Sequence, residues 1–85
     1  MLTMLKVDLG IMGDVYNERL TQVLDAARGM IAREGITLTD SDEDKQLVVS
    51  YAAWLWRRRD SGAGMPRMLR WLLNNRLFAE KARVD

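Results

Sequence analysis

Cysteine and histidine are both absent from these 85 residues, and proline occurs once. Without cysteine there is no disulfide, no zinc–thiolate site and no thiol nucleophile. Without histidine, the commonest general base and metal ligand at neutral pH is missing, so Ser41, Ser50 and Ser61 have no imidazole to activate them. No glycine-rich phosphate loop follows a strand pattern. No apolar run approaches the roughly 20 residues that cross a bilayer, and the opening MLTMLKVDLG places Asp8 early, with no basic start ahead of an apolar stretch. The chain is expected to be soluble and cytoplasmic, with no membrane partner, no cofactor, no metal and no enzymatic activity.

What is present is short and unevenly charged. Eighty-five residues make a single domain, 1–85, near the lower end of the sizes that fold alone, so a partner surface would matter to it. The net charge of +1 conceals two halves of opposite sign. Residues 1–56 hold five basic and nine acidic side chains, a net of −4, whereas residues 57–85 hold eight basic and three acidic ones, a net of +5. Helix dipoles account for part of this, since acids favour helix starts and bases favour helix ends. Opposite-sign faces meeting between neighbouring copies, or a basic half meeting an acidic partner, are the alternatives.

The hydrophobic periodicity is helical throughout, and no segment reads as a strand. Leu2, Leu5 and Leu9 mark a short first helix that stops at Gly10-Ile11-Met12-Gly13. Asp14 is the expected cap of a second helix over 15–34, with Leu20, Val23, Leu24, Ala27 and Ile31 as its apolar stripe and Gly35 closing it. Asp40 and Glu43 stand in capping-box spacing before a third helix that runs to about Arg59. Ser61-Gly62-Ala63-Gly64 interrupts it, and Met65-Pro66 opens a fourth helix that ends near Ala82. The expected fold is therefore all-α, a small bundle of three main helices preceded by a short N-terminal helix.

Two of these helices are apolar on two sides. At about 100° per residue, Leu47, Val48, Tyr51, Trp54 and Leu55 share one face of the third helix, whereas Trp56 lies with Val49 and Ala53, about 160° around from Trp54. In the fourth helix Leu69, Leu72, Leu73 and Leu77 form one face, and Trp71 and Phe78 share another. A bundle that wraps a central helix would use both sides internally. A subunit interface is the other solution, because an indole left in water forgoes about 2–3 kcal/mol relative to burial. Trp56 and Trp71 would then be anchors, with Arg57, Arg58 and Arg59 either a polar rim or a solvated helix end.

Chemical sites fail on spacing. Asp40, Asp42 and Asp44 resemble the start of a calcium loop, but that loop needs glycine where Lys45 stands and glutamate where Tyr51 stands. The same acidic run is the one place where paired carboxylates occur, and it reads better as a helix start than as two tuned acids. A helix-turn-helix DNA-binding domain is the main rival to assembly, since Arg67, Arg70 and Asn74 fall on one side of the last helix. Bulky Trp71 and Phe78 crowd that surface, and the acidic half weakens attraction to phosphates, so sequence-specific nucleic acid is not expected. A helical regulatory module that binds one host protein is a third possibility.

The order of residues resembles a known family. Leu24-Asp25-Ala26-Ala27, Met30-Ile31, Gly35-Ile36, an acidic helix start, Leu47-Val48, Tyr51-Ala52, Trp54-Leu55-Trp56-Arg57-Arg58-Arg59 and Met65-Pro66 follow one another as in small head-tail connector (adaptor) proteins of bacteriophages and prophages. The likeness spans most of residues 15–73. It implies an all-helical subunit of the virion that forms a homo-oligomeric ring on the portal protein at the head–tail junction, after assembly in the host cytoplasm. There it would offer a platform to the tail or to a second adaptor. Such proteins are sometimes labelled DNA-packaging proteins although they are not the motor. The resemblance implies a subunit interface at Val49, Trp56, Arg57, Arg58 and Arg59, to which Trp71 and Phe78 add apolar surface. It implies a portal-facing role for Arg76, Lys81 and Arg83. The brief, polar AEKARVD after Phe78 implies that any long portal-gripping arm is reduced.

Overall fold

The computed structural model describes residues 1–61 and 64–82, without the side chains of residues 59–61. Among them are four helices and no strand: α1 (Leu2–Leu9), α2 (Asn17–Arg33), α3 (Asp42–Ser61) and α4 (Arg67–Ala82). The architecture is the all-α one expected, three main helices behind a short first one. α1 stops where Gly10 turns left-handed at φ 72°. The Gly10 N–H then reaches the Val7 carbonyl at 3.2 Å, and the Ile11 N–H reaches back to that of Lys6 at 2.9 Å, the paired closure that a residue without Cβ permits. Gly35, at φ 99°, follows α2 in the same left-handed conformation.

Two helix starts differ from expectation. Asp14 does not cap α2: a turn over residues 14–17, closed by Asn17 N–H on the Asp14 carbonyl at 3.2 Å, comes first, and Tyr16 holds the cap position. The Asp14 carboxylate is drawn instead toward Lys6 of α1, at 3.3 Å, and accepts from the Asn17 amide at 3.1 Å. At α3 the capping contact lies one residue later than Asp40 and Glu43. Ser41 Oγ accepts the Asp44 N–H at 3.2 Å, and the Asp44 carboxylate takes the Thr39 N–H at 2.8 Å, fastening the chain just ahead of the helix.

α3 is the central element and packs against each of the other three helices, while α1 also packs on α2. Its Leu47, Val48, Tyr51 and Ala52 are buried, and so are Val49 and Ala53 on its other side. Leu5 of α1, Leu20, Leu24, Ala27 and Ile31 of α2, and Leu69 and Leu73 of α4 complete the core with Ile36. Val49 is only 1% exposed, on the side where α1 lies, so the expectation that it meets a neighbouring subunit is corrected. The physical reason is the short first helix: with Leu5 inside the core and Leu2 and Leu9 packed against it, α1 covers the second apolar face of α3.

The two indoles of α3 are both engaged within the subunit. Trp54 meets Tyr51 edge to face at 5.5 Å, and its Nε1–H donates to the Gly64 carbonyl at 3.3 Å. Trp56 packs against the core, with the Tyr16 ring edge-on at 5.6 Å. Its ring is half-buried by the segment that leads into α2. Trp56→Ala is accordingly expected to lower unfolding free energy by about 2 kcal/mol, whereas Trp71→Ala on α4 should change it by no more than about 0.5 kcal/mol; urea titration of the two variants distinguishes them.

Candidate functional site

One surface with unspent apolar area is the outer side of α4. Leu69, Leu73 and Arg76 recur at spacings of four and three and so share the face toward α3, which sets Arg67, Trp71, Asn74 and Phe78 on the side opposite the core. Trp71 is 61% exposed and Phe78 76% exposed. Seven residues apart, they form a stripe two turns long. The Asn75 side chain donates to the Trp71 carbonyl at 2.9 Å. A second apolar area lies at the far end of α1, where Val7, Met12 and Val15 are largely in solvent.

Arginines expected at the rim are placed differently from one another. Arg57 is exposed and donates from Nη2 to the Asp8 carbonyl at 3.1 Å, tying α3 to the end of α1. The Arg58 guanidinium lies over the Trp54 ring, 5.2 Å from its centroid. The Arg59 side chain lies outside the described residues. Arg70, one of the three groups proposed to reach base edges, pairs with Glu34 at 3.1 Å and is exposed, as are Arg67 and Asn74.

The portal-facing assignment is corrected at Arg76. Its side chain points inward, 8% exposed, and grips Asp44 of α3, itself 2% exposed, in a fork: Nε to Oδ1 at 2.7 Å and Nη2 to Oδ2 at 3.2 Å. Nη2 also donates to the Thr37 carbonyl at 2.7 Å, and Nη1 lies 3.8 Å from Glu80. Glu80 in turn accepts the Thr37 N–H, and Thr39 donates its backbone N–H and its hydroxyl to Asp44. The pair therefore locks the α2–α3 connection to both later helices. Lys81 is exposed, and Arg83 lies outside the described residues.

The signal for this pair was in the spacing. Asp44 precedes Leu47, Val48 and Tyr51 by three, four and seven residues, and Arg76 follows Leu69 and Leu73 by seven and three. One acid and one base thus stand on otherwise apolar faces of successive helices. The same geometry bears on the calcium-like run: Asp44, its third acid, is committed to Arg76. Among the described residues no group of three or more acidic side chains converges on one point. No helix among them is long and apolar enough to cross a membrane.

Electrostatics follow from the contacts. The hydrogen bond from Arg76 holds the Asp44 carboxyl below its ordinary value of 3.8, against the opposing effect of burial, and Asp44 raises the already high value of Arg76. Burial pushes the Tyr51 phenol up. No protein-family model matches the chain, and neither a curated relative nor a solved structure shows significant similarity to it.

Removing one partner of the buried pair strands the other. Arg76→Met is expected to cost about 3–5 kcal/mol, read from urea unfolding at pH 7. The acid limb supplies a second check. A carboxyl depressed in the folded state contributes stability that is present above its unfolded value and is lost as pH falls through the folded one. Stability should therefore drop below about pH 4 in the native chain, and Asp44→Asn should flatten that slope while lowering stability at neutral pH.

Proposed function

We propose that this chain is a structural subunit that assembles with copies of itself into a ring, acting as the head-tail connector of a tailed phage or prophage between the portal and the tail or a second adaptor. The observation that carries the reading is the Trp71–Phe78 stripe, which faces away from the core on a helix whose other side is already filled. Two large exposed rings two turns apart on one helix face of so small a domain support reading it as an interaction surface. The resemblance of the residue order to that of small connector proteins favours the choice of assembly. On this reading the protein has no substrate and no cofactor, and its location is the virion's head–tail junction after assembly in the host cytoplasm.

Ring subunits need two different surfaces that meet head to tail and close after a full turn. The outer face of α4 is one, and Trp56, half-buried against Tyr16, is no longer its natural counterpart. Contact with the portal rests on Lys81 among the residues assigned to it. The helix-turn-helix alternative keeps Arg67 and Asn74 and has to draw Arg70 from a surface pair with Glu34, and it places two rings in the middle of the groove-facing surface.

Sizing at rising concentration, with negative-stain imaging of the largest species, tests the reading. Rings or ring-sized oligomers are expected, and Trp71→Ala with Phe78→Ala should shift half-assembly to at least about tenfold higher concentration while leaving the unfolding midpoint nearly unchanged. A strict monomer that binds duplex DNA with a steep salt dependence would overturn it in favour of DNA reading.

A further inference from the structure

The second surface can be located. α3 is covered by α1 on its Val49 side and by α4 on its Leu47 side, and between the two covering helices a strip of α3 stays open. Gln46 and Ser50 lie on the floor of this valley, with Met4 and Val7 along one wall and Met68 and Leu72 along the other. Two depressions of about 400 and 350 Å³ follow one another along it and meet at Asp8. The valley is a groove of the shape that receives one apolar helix face.

We propose that the valley receives α4 of a second copy of this chain, outer face inward, with the guest helix running parallel to α3. The inference rests on the ring reading and specifies its contact. Length agrees: Gln46 to Arg57 and Arg67 to Phe78 are both twelve residues, about 17 Å of helix from first to last. Charge sets the direction. The valley is acidic at the start of α3, with Glu43 at its edge beside Asp42, and basic at the other end, where Arg57 and Arg58 line it. The guest helix begins with Arg67 and has no acidic side chain in its first turn, which suits the acidic end, whereas the reverse orientation would bring its last-turn Lys81 there and set Arg67 away from Glu43. Trp71 then meets the neighbourhood of Gln46 and Leu72, and Phe78 that of Ala53 and Trp54.

Stripe and valley are separate surfaces of one subunit. Around α4 the stripe lies about a quarter-turn from the wall made by Met68 and Leu72, at about 100° per residue. Each copy can therefore give its α4 to one neighbour and accept the α4 of another, a heterologous contact that propagates around a ring.

Two experiments on the full chain test this. Arg67→Glu and Glu43→Arg should each raise the concentration for half-assembly about tenfold, and the two together should restore it to within about threefold. Within one subunit residues 43 and 67 belong to separate helices, and no ion pair joins them. The native chain has no cysteine, so Asn75→Cys and Ser50→Cys variants can be mixed and oxidised. Disulfide-linked heterodimers are expected from the mixture, and markedly less cross-linking from either variant alone. If rings form but the charge reversals fail to compensate and only Asn75→Cys homodimers appear, α4 packs on α4 and the valley proposal is wrong while the ring stands. If the native chain never assembles, both fall.

Discussion

Asp44 and Arg76 constitute the constraint on which the arrangement of the later helices depends. Two full charges held almost out of water are favourable only when their geometry is good and their remaining bonds are satisfied. Here the fork between them is joined by Thr37 and Thr39, so the guanidinium and carboxylate find partners at the point where the α2–α3 connection, the first turn of α3 and the second half of α4 come together. Apolar side chains of the same size could fill that space, but they would not specify one orientation as a planar fork does. Because α4 is gripped there, Leu69 and Leu73 face inward with Leu72 and Leu77 packed at their flanks, and Trp71 and Phe78 are left facing outward.

Much of the architecture was legible in the sequence. Helix number, order and the glycine stops at Gly10 and Gly35 follow from periodicity and from the few residues that tolerate a left-handed backbone. Capping was harder. Asp14 and Asp40 have the right chemistry, but a turn ahead of α2 and the hydroxyl of Ser41 took the positions they were expected to hold. Several adjacent polar residues can each satisfy a helix start, and local sequence alone does not choose among them.

The surface was legible in part. The periodicity sets Trp71 and Phe78 on a second apolar face of the last helix, and they stand in solvent. Val49 and Trp56 follow the same pattern on α3, yet they are occupied by α1 and by Tyr16. Periodicity identifies an apolar side but not the element that covers it, and here that element is a helix of only eight residues. Arg76 illustrates the opposite difficulty. A basic side chain near a helix end suggests solvent, and only its register with Leu69 and Leu73, matched by that of Asp44 with Leu47 and Tyr51, points to the interior.

The packing of Ala52 and Ala53 at the middle of α3, both almost wholly buried, bears on how much the sequence can vary. With a single methyl group on each, they leave room for the helices that pack on α3 from several directions. Larger side chains at either position would push those helices outward, and because Ala53 also lines the depression beside Leu69 and Leu72, the width of that outer hollow follows from a residue chosen for the interior.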